Sequence, residues 1–112
     1  MARNSVLYAL ADPMRQRILE TLRGGGKPVG VIAAALPVSR PAVSQHLKVL
    51  KSARLVREIK RGTRRIYNIE PRGLVALRKY LDRLWSDALS AFHTEAGNVS
   101  GSAPRKRERG SE

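Results

Sequence analysis

From Ser39 to Leu50 the chain alternates polar and apolar residues with a helical period. At about 100° per residue, Val43, Leu47 and Leu50 fall within roughly 60° of one another, whereas Pro41, Ser44, Gln45 and Lys48 occupy much of the other side. The spacing predicts a helix that lays one face on a core and shows hydrogen-bonding and cationic groups outward. Ser39 suits the N-cap, Pro41 fits the first turn where its missing N–H costs nothing, and no Gly or Pro follows until Gly62.

The flanking patterns give this helix neighbours. Val6, Leu7, Ala9 and Leu10 make a short apolar stripe that stops at Asp12-Pro13, where Asp caps and Pro opens a second helix running to about Arg23. Met14, Ile18, Leu19 and Leu22 form its inner face, and Arg15, Gln16, Glu20 and Arg23 are expected to point away. Gly24-Gly25-Gly26 ends it. An Ala-rich segment, Val29 to Leu36, predicts a short helix, and Pro37-Val38 turns the chain into the Ser39 helix. Two helices joined by a tight turn, the second with a polar outer face, make a helix-turn-helix.

After Ala53 the period drops to about two. Leu55 to Lys60 and Arg64 to Ile69 predict two strands around the turn Arg61-Gly62-Thr63. A hairpin directly after such a helix is a wing, so the expected fold is mainly α with a small β-hairpin: four helices, the hairpin, then a fifth helix, a winged helix-turn-helix. Pro71 opens the fifth helix, expected to end near His93, with Leu74, Leu77, Leu81, Leu84, Trp85, Ala88 and Phe92 at spacings of three, four and seven. A domain whose inner helices already supply a core does not need so long a stripe, and its expected cover is a second copy of the chain.

Composition narrows the partners. A chain of 112 residues holds one small domain, assigned here to residues 1–96, with a basic disordered tail over 97–112. Lys and Arg total 22 against 9 Asp and Glu, a net charge of +13. Between Arg40 and Arg65 the only acid is Glu58, among Arg40, Lys48, Lys51, Arg54, Arg57, Lys60, Arg61, Arg64 and Arg65. A field of that sign attracts polyanions. No apolar run approaches the ~18 residues of a membrane span, and residues 1 to 11 read as too short and too interrupted for a signal peptide, so nucleic acid is the expected partner rather than a membrane. The absence of cysteine removes disulfides and thiolate chemistry and fits a reducing cytoplasm, with nucleoid association when DNA-bound. Five aromatic residues are too few for a single-strand stacking platform, which counts against RNA. No nucleophile, base and acid are arranged for catalysis, and no Gly-rich phosphate loop is present, so the chain is read as no enzyme.

Double-stranded DNA is the expected partner. Ser44, Gln45 and Lys48 are the candidate groove readers, since Gln pairs bidentately with adenine and Ser or Lys reaches a base edge or a phosphate. Ser39, Arg40 and Pro41 open the same helix, with Arg40 as a phosphate clamp. Lys60, Arg61, Thr63, Arg64 and Arg65 put four cations and a hydroxyl around the wing tip for backbone or minor-groove contact. His46 lies toward the core and reads as a half-buried residue beside Leu50, and Tyr67 as a packing residue. The tail cations Arg105, Lys106, Arg107 and Arg109 read equally as a loose attraction to DNA or as a solubilising tail.

Taken in order, these pieces resemble the ArsR/SmtB family of winged helix-turn-helix repressors over roughly residues 5 to 92. The segments that carry the likeness are Ala9 to Leu19, Ser39 to Leu50, Ala53-Arg54-Leu55-Val56 and the wing Arg61 to Tyr67. The resemblance implies a homodimer paired through its first and last helices, which places Val6, Leu7 and Leu10 beside Leu77, Leu81, Leu84, Trp85, Ala88 and Phe92 at the interface. It also implies repression from an imperfect inverted repeat near the chain's own operon, and release by an inducer whose chemistry no residue pattern names. Metal sensors of the family carry a Cys-x-Cys pair where this chain has Pro28-Val29-Gly30, or Asp and His pairs on the last helix, where this chain has Asp82, Asp87 and the single His93. A tight divalent site takes about four N, O or S ligands. The likeness is therefore closest to the metal-independent branch, and no metal or cofactor is expected. The competing reading is a non-specific architectural DNA-binding protein, which the charge alone would support.

Overall fold

The computed structural model describes residues 2–99. The elements run α1 (Ala2–Leu10), α2 (Pro13–Leu22), β1 (Lys27–Pro28), α3 (Val29–Ala34), α4 (Arg40–Ser52), β2 (Val56–Arg61), β3 (Arg64–Ile69) and α5 (Pro71–Val99). The order is the one the hydrophobic pattern predicts, with one strand added. The chain divides into two compact units, Met1–Arg78 and Lys79–Glu112.

Local chemistry sets the boundaries. The Asp12 carboxylate accepts from the Arg15 backbone N–H at 3.2 Å and starts α2 at Pro13. Ser39 does the same for α4, its hydroxyl accepting from the Ala42 N–H at 3.2 Å. α4 ends in a Schellman turn, in which the Leu55 N–H donates to the Leu50 carbonyl at 2.9 Å and the Arg54 N–H to Lys51 at 3.0 Å. Arg54 takes the left-handed conformation this turn requires, φ +61°, where glycine is the usual occupant. β2 and β3 pair antiparallel from Val56↔Ile69 to Arg61↔Arg64, which leaves the two-residue loop Gly62-Thr63. Gly62 has φ +64°, and a glycine in the first loop position is the mark of a type II′ turn.

β1 was not expected. Lys27 and Pro28 pair with Tyr67 and Ile66, giving a three-stranded sheet of order β1-β3-β2. Two residues carry no period to read, and Pro is tolerated because β1 is an edge strand. Other boundaries differ from expectation as well, since β2 begins at Val56 rather than Leu55 and takes in Arg61, expected in the turn. α3 stops at Ala34 rather than Leu36, and α5 continues past His93 to Val99, three residues into the segment assigned to the tail. The rest of that segment, with the cations Arg105 to Arg109, lies outside the described residues.

The core gathers Val6 and Ala9 from α1, Ile18 and Leu22 from α2, Ile32 from α3 and Val43, Leu47 and Leu50 from α4. Ala53, Leu55 and Val56 close it at the α4 to β2 junction, and all eleven residues are at most 5% exposed. Arg15, expected on the outer face of α2, is buried instead. Its Nε donates to the Ala9 carbonyl at 2.8 Å and its Nη2 to Tyr8 at 3.1 Å, and the guanidinium lies 5.1 Å from the Tyr8 ring centre. The last carbonyls of α1 have no partners within their own helix, and Arg15 supplies them.

Candidate nucleic-acid interface

α4 divides cleanly. Val43, Leu47 and Leu50 are 0–1% exposed, and Pro41, Ser44, Gln45 and Lys48 are open to solvent. The Ser39 hydroxyl is committed to the helix cap, where it accepts from the Ala42 N–H. Arg40 leans over the start of α3, its guanidinium 3.7–4.0 Å from where a Cβ on Gly30 would lie. That puts Arg40 in one groove with Thr63, Arg64 and Arg65 of the wing tip and Val29 and Val31 of α3. The fold thus joins the N-terminal end of α4 to the wing tip, two groups of residues more than twenty positions apart in sequence. Lys60 and Arg61 are exposed on the same hairpin.

Glu58 organises the wing. It accepts from Lys51 of α4 at 3.0 Å and from Arg65 of β3 at 2.8 Å, with its side chain 13% exposed. The Lys51 hydrogen bond first, and Arg65 with it, hold the Glu58 carboxyl below the usual carboxylate range against an opposing desolvation. The single acid of the basic stretch is therefore a tie between α4 and the hairpin. Part of the Arg65 charge is already met there, which leaves Lys60, Arg61 and Arg64 as the freer cations of the wing. Tyr67, half-buried against the core, has its phenol pushed up by burial and then by the Glu58 charge.

His46 is half-buried as expected, with partners the sequence did not suggest. Its Nδ1 lies 3.3 Å from Arg15 Nη1 and 3.6 Å from Asp12 Oδ2. The cap residue of α2, a buried arginine and α4 thus meet at one point. Asp12 and His46 stand 34 positions apart, and no helical or strand period relates them.

The residues assigned to a dimer interface divide in three. Val6 is fully buried in its own core, so it shapes α1 without being free to meet a second copy. Leu10 and Leu77 are half-buried against the same core. Leu7, Leu81, Leu84, Trp85, Ala88 and Phe92 are exposed. At the positions of the Cys-x-Cys pair, β1 and α3 carry Pro28, Val29 and Gly30, none with a donor side chain, and among the described residues no group of three His, Cys, Asp or Glu is placed to hold a metal ion. No helix of the described residues is long and apolar enough to cross a membrane.

A helix-turn-helix with a polar-faced second helix, backed by a basic hairpin that reaches its N-terminal end, defines a winged helix-turn-helix transcriptional regulator. A family profile described as a helix-turn-helix domain matches residues 10–59. The HTH-type transcriptional regulator Rv2034 of Mycobacterium tuberculosis is 58% identical over 84 residues, 75% of this chain and 78% of that protein. An ArsR-like transcriptional regulator from Rhodococcus sp. RHA1 superposes with a TM-score of 0.72 at 32% identity, covering 85% of this chain and 92% of that one. A homodimeric winged helix-turn-helix DNA-binding domain from Mycobacterium bovis, described as a possible ArsR-family regulator, gives a TM-score of 0.59 at 27% identity over 88% of this chain and 85% of that one. The chain belongs to the ArsR/SmtB family of transcriptional regulators. Its relatives and structural neighbours are regulators rather than enzymes.

Proposed function

We propose that this chain is a homodimeric, sequence-specific repressor that binds an inverted-repeat operator in double-stranded DNA, including one near its own gene, in the bacterial cytoplasm. The observation that carries the reading is the joining of the α4 readers Ser44 and Gln45, through Arg40, to the cations of the wing tip. One element reads bases while its neighbours hold phosphates, as specific recognition requires. The exposed apolar stripe of α5 supports a two-fold assembly, as does the homodimeric state of the Mycobacterium bovis neighbour. Two α4 helices would then enter successive major grooves about 34 Å apart, and an occupied operator excludes other proteins from that DNA. The reading needs no metal, and it leaves release to an inducer.

The test is binding of the purified protein to its own upstream DNA and to a random duplex of equal length across a salt series. A preference of ~10³ or more at physiological salt is expected. Equal affinity for both duplexes, collapsing steeply with salt, would replace this reading with the architectural one.

A further inference from the structure

The recognition surface does not end at Lys48. The outward stripe of α4 continues from Ser44 through Lys48 to Ser52, and there it meets a groove formed with the start of β2 and the start of α5. The groove carries Lys48, Arg54, Arg57 and Arg72, against the acids Glu58 and Glu70. Both acids are already engaged. Glu58 holds Lys51 and Arg65, and Glu70 lies 3.9 Å from Arg57 and 3.4 Å from Arg72. Among the described residues Lys48 and Arg54 face no carboxylate within salt-bridge distance.

Arg54 is the telling residue. Its backbone sits at φ +61°, a conformation that glycine adopts freely and an arginine only under strain. Its carbonyl accepts from the Gly73 N–H at 3.0 Å, which fixes the backbone between the end of α4 and the first turn of α5. Glycine would make the same turn with less strain, so nothing in the turn itself calls for a guanidinium. The side chain instead adds an uncompensated charge to the groove.

Dimensions say what meets it. Thirteen residues of α4 span about 20 Å, whereas a major groove is about 12 Å wide. A helix that seats its N-terminal half in the groove carries its C-terminal end out over the flanking sugar-phosphate strand. We propose that Arg54, with Lys48 and Arg72, forms a second phosphate-contacting surface that grips the DNA backbone beyond the bases read by Ser44 and Gln45. This rests on the DNA-binding reading above and extends its footprint at the end of α4 opposite the wing tip.

Arg54→Gly tests it, because relief of strain and loss of charge push in opposite directions. The variant is expected to melt at the same temperature as the parent or higher, to bind duplex about three- to tenfold more weakly, and to lower the slope of log K against log salt by about 0.9. Ethylation interference should lose a phosphate outside the bases read by α4. Arg54→Lys, which keeps both charge and strain, should restore the slope. Unchanged affinity and slope in Arg54→Gly would overturn the proposal, as would a fall in melting temperature that accounts for the lost affinity. Failure of the underlying reading looks different: the unaltered protein itself would then show no preference for its upstream DNA.

Discussion

α4 and α5 are both amphipathic, and the single chain treats them oppositely. α4 presents Val43, Leu47 and Leu50 at 0–1% exposure, while α5 leaves Leu81 at 49%, Trp85 at 67% and Phe92 at 59%. One stripe is satisfied within the protomer and the other is not. The difference teaches that a helical apolar period does not by itself say whether its own chain covers it. α4 is enclosed by α1, α2, α3 and the hairpin, so its polar face alone is left for function. In α5 the apolar face is itself the surface available for association.

Breaking the satisfied stripe should cost the most. Leu47→Ala is expected to destabilise the protomer by about 2–5 kcal/mol, read by denaturant unfolding, because the side chain is fully buried in the core and its loss leaves a cavity there. Leu81→Glu should instead leave the protomer's helical content intact and shift sedimentation from dimer to monomer mass. A profile still at dimer mass would remove the last helix from the interface. On the polar face of α4, Gln45→Ala should relax sequence choice by about 1–3 kcal/mol at one base pair, measured against a panel of single-site operator variants. Arg64→Ala should weaken all sequences alike and flatten the salt slope by about one unit.

The smallest effect concerns the tie between α4 and the wing. Glu58 has a folded pKa below its ordinary value, so the stability it contributes is present above the unfolded carboxylate pKa near 4.5 and is lost as pH falls through the depressed folded value. Glu58→Gln should therefore reduce the acid-side slope of a stability-pH profile and leave the slope between pH 6 and 8 unchanged.

Much of this arrangement is legible in the sequence. The α2 and α4 starts follow from side chains that accept backbone N–H groups, and the two strands of the hairpin follow from alternation around Gly62. Three features were hidden for physical reasons. Lys27 and Pro28 are too short to show a period, and their pairing is decided by β3. Arg15 sits where a helical wheel points to solvent, because the wheel takes no account of the bare carbonyls at the end of α1. The Arg54 turn escaped because the usual signal for it, glycine, is missing. At the candidate interface, the wing cations Lys60, Arg61, Arg64 and Arg65 are legible by their number, whereas the groove that joins Arg40 to the wing tip depends on how α3 is packed.

Arg15 also bears on the order in which the molecule assembles. α1 leaves the ribosome before α2, yet the groups that hold its last turn arrive with α2, and the arginine that delivers them meets His46 only when α4 has been made. The opening segment of the chain therefore waits for its own anchor, and we expect it to be the last helix of the protomer to settle. Pulse-labelled hydrogen exchange during refolding would show its amides protected after those of α2 and α4, and simultaneous protection would refute that sequence of events.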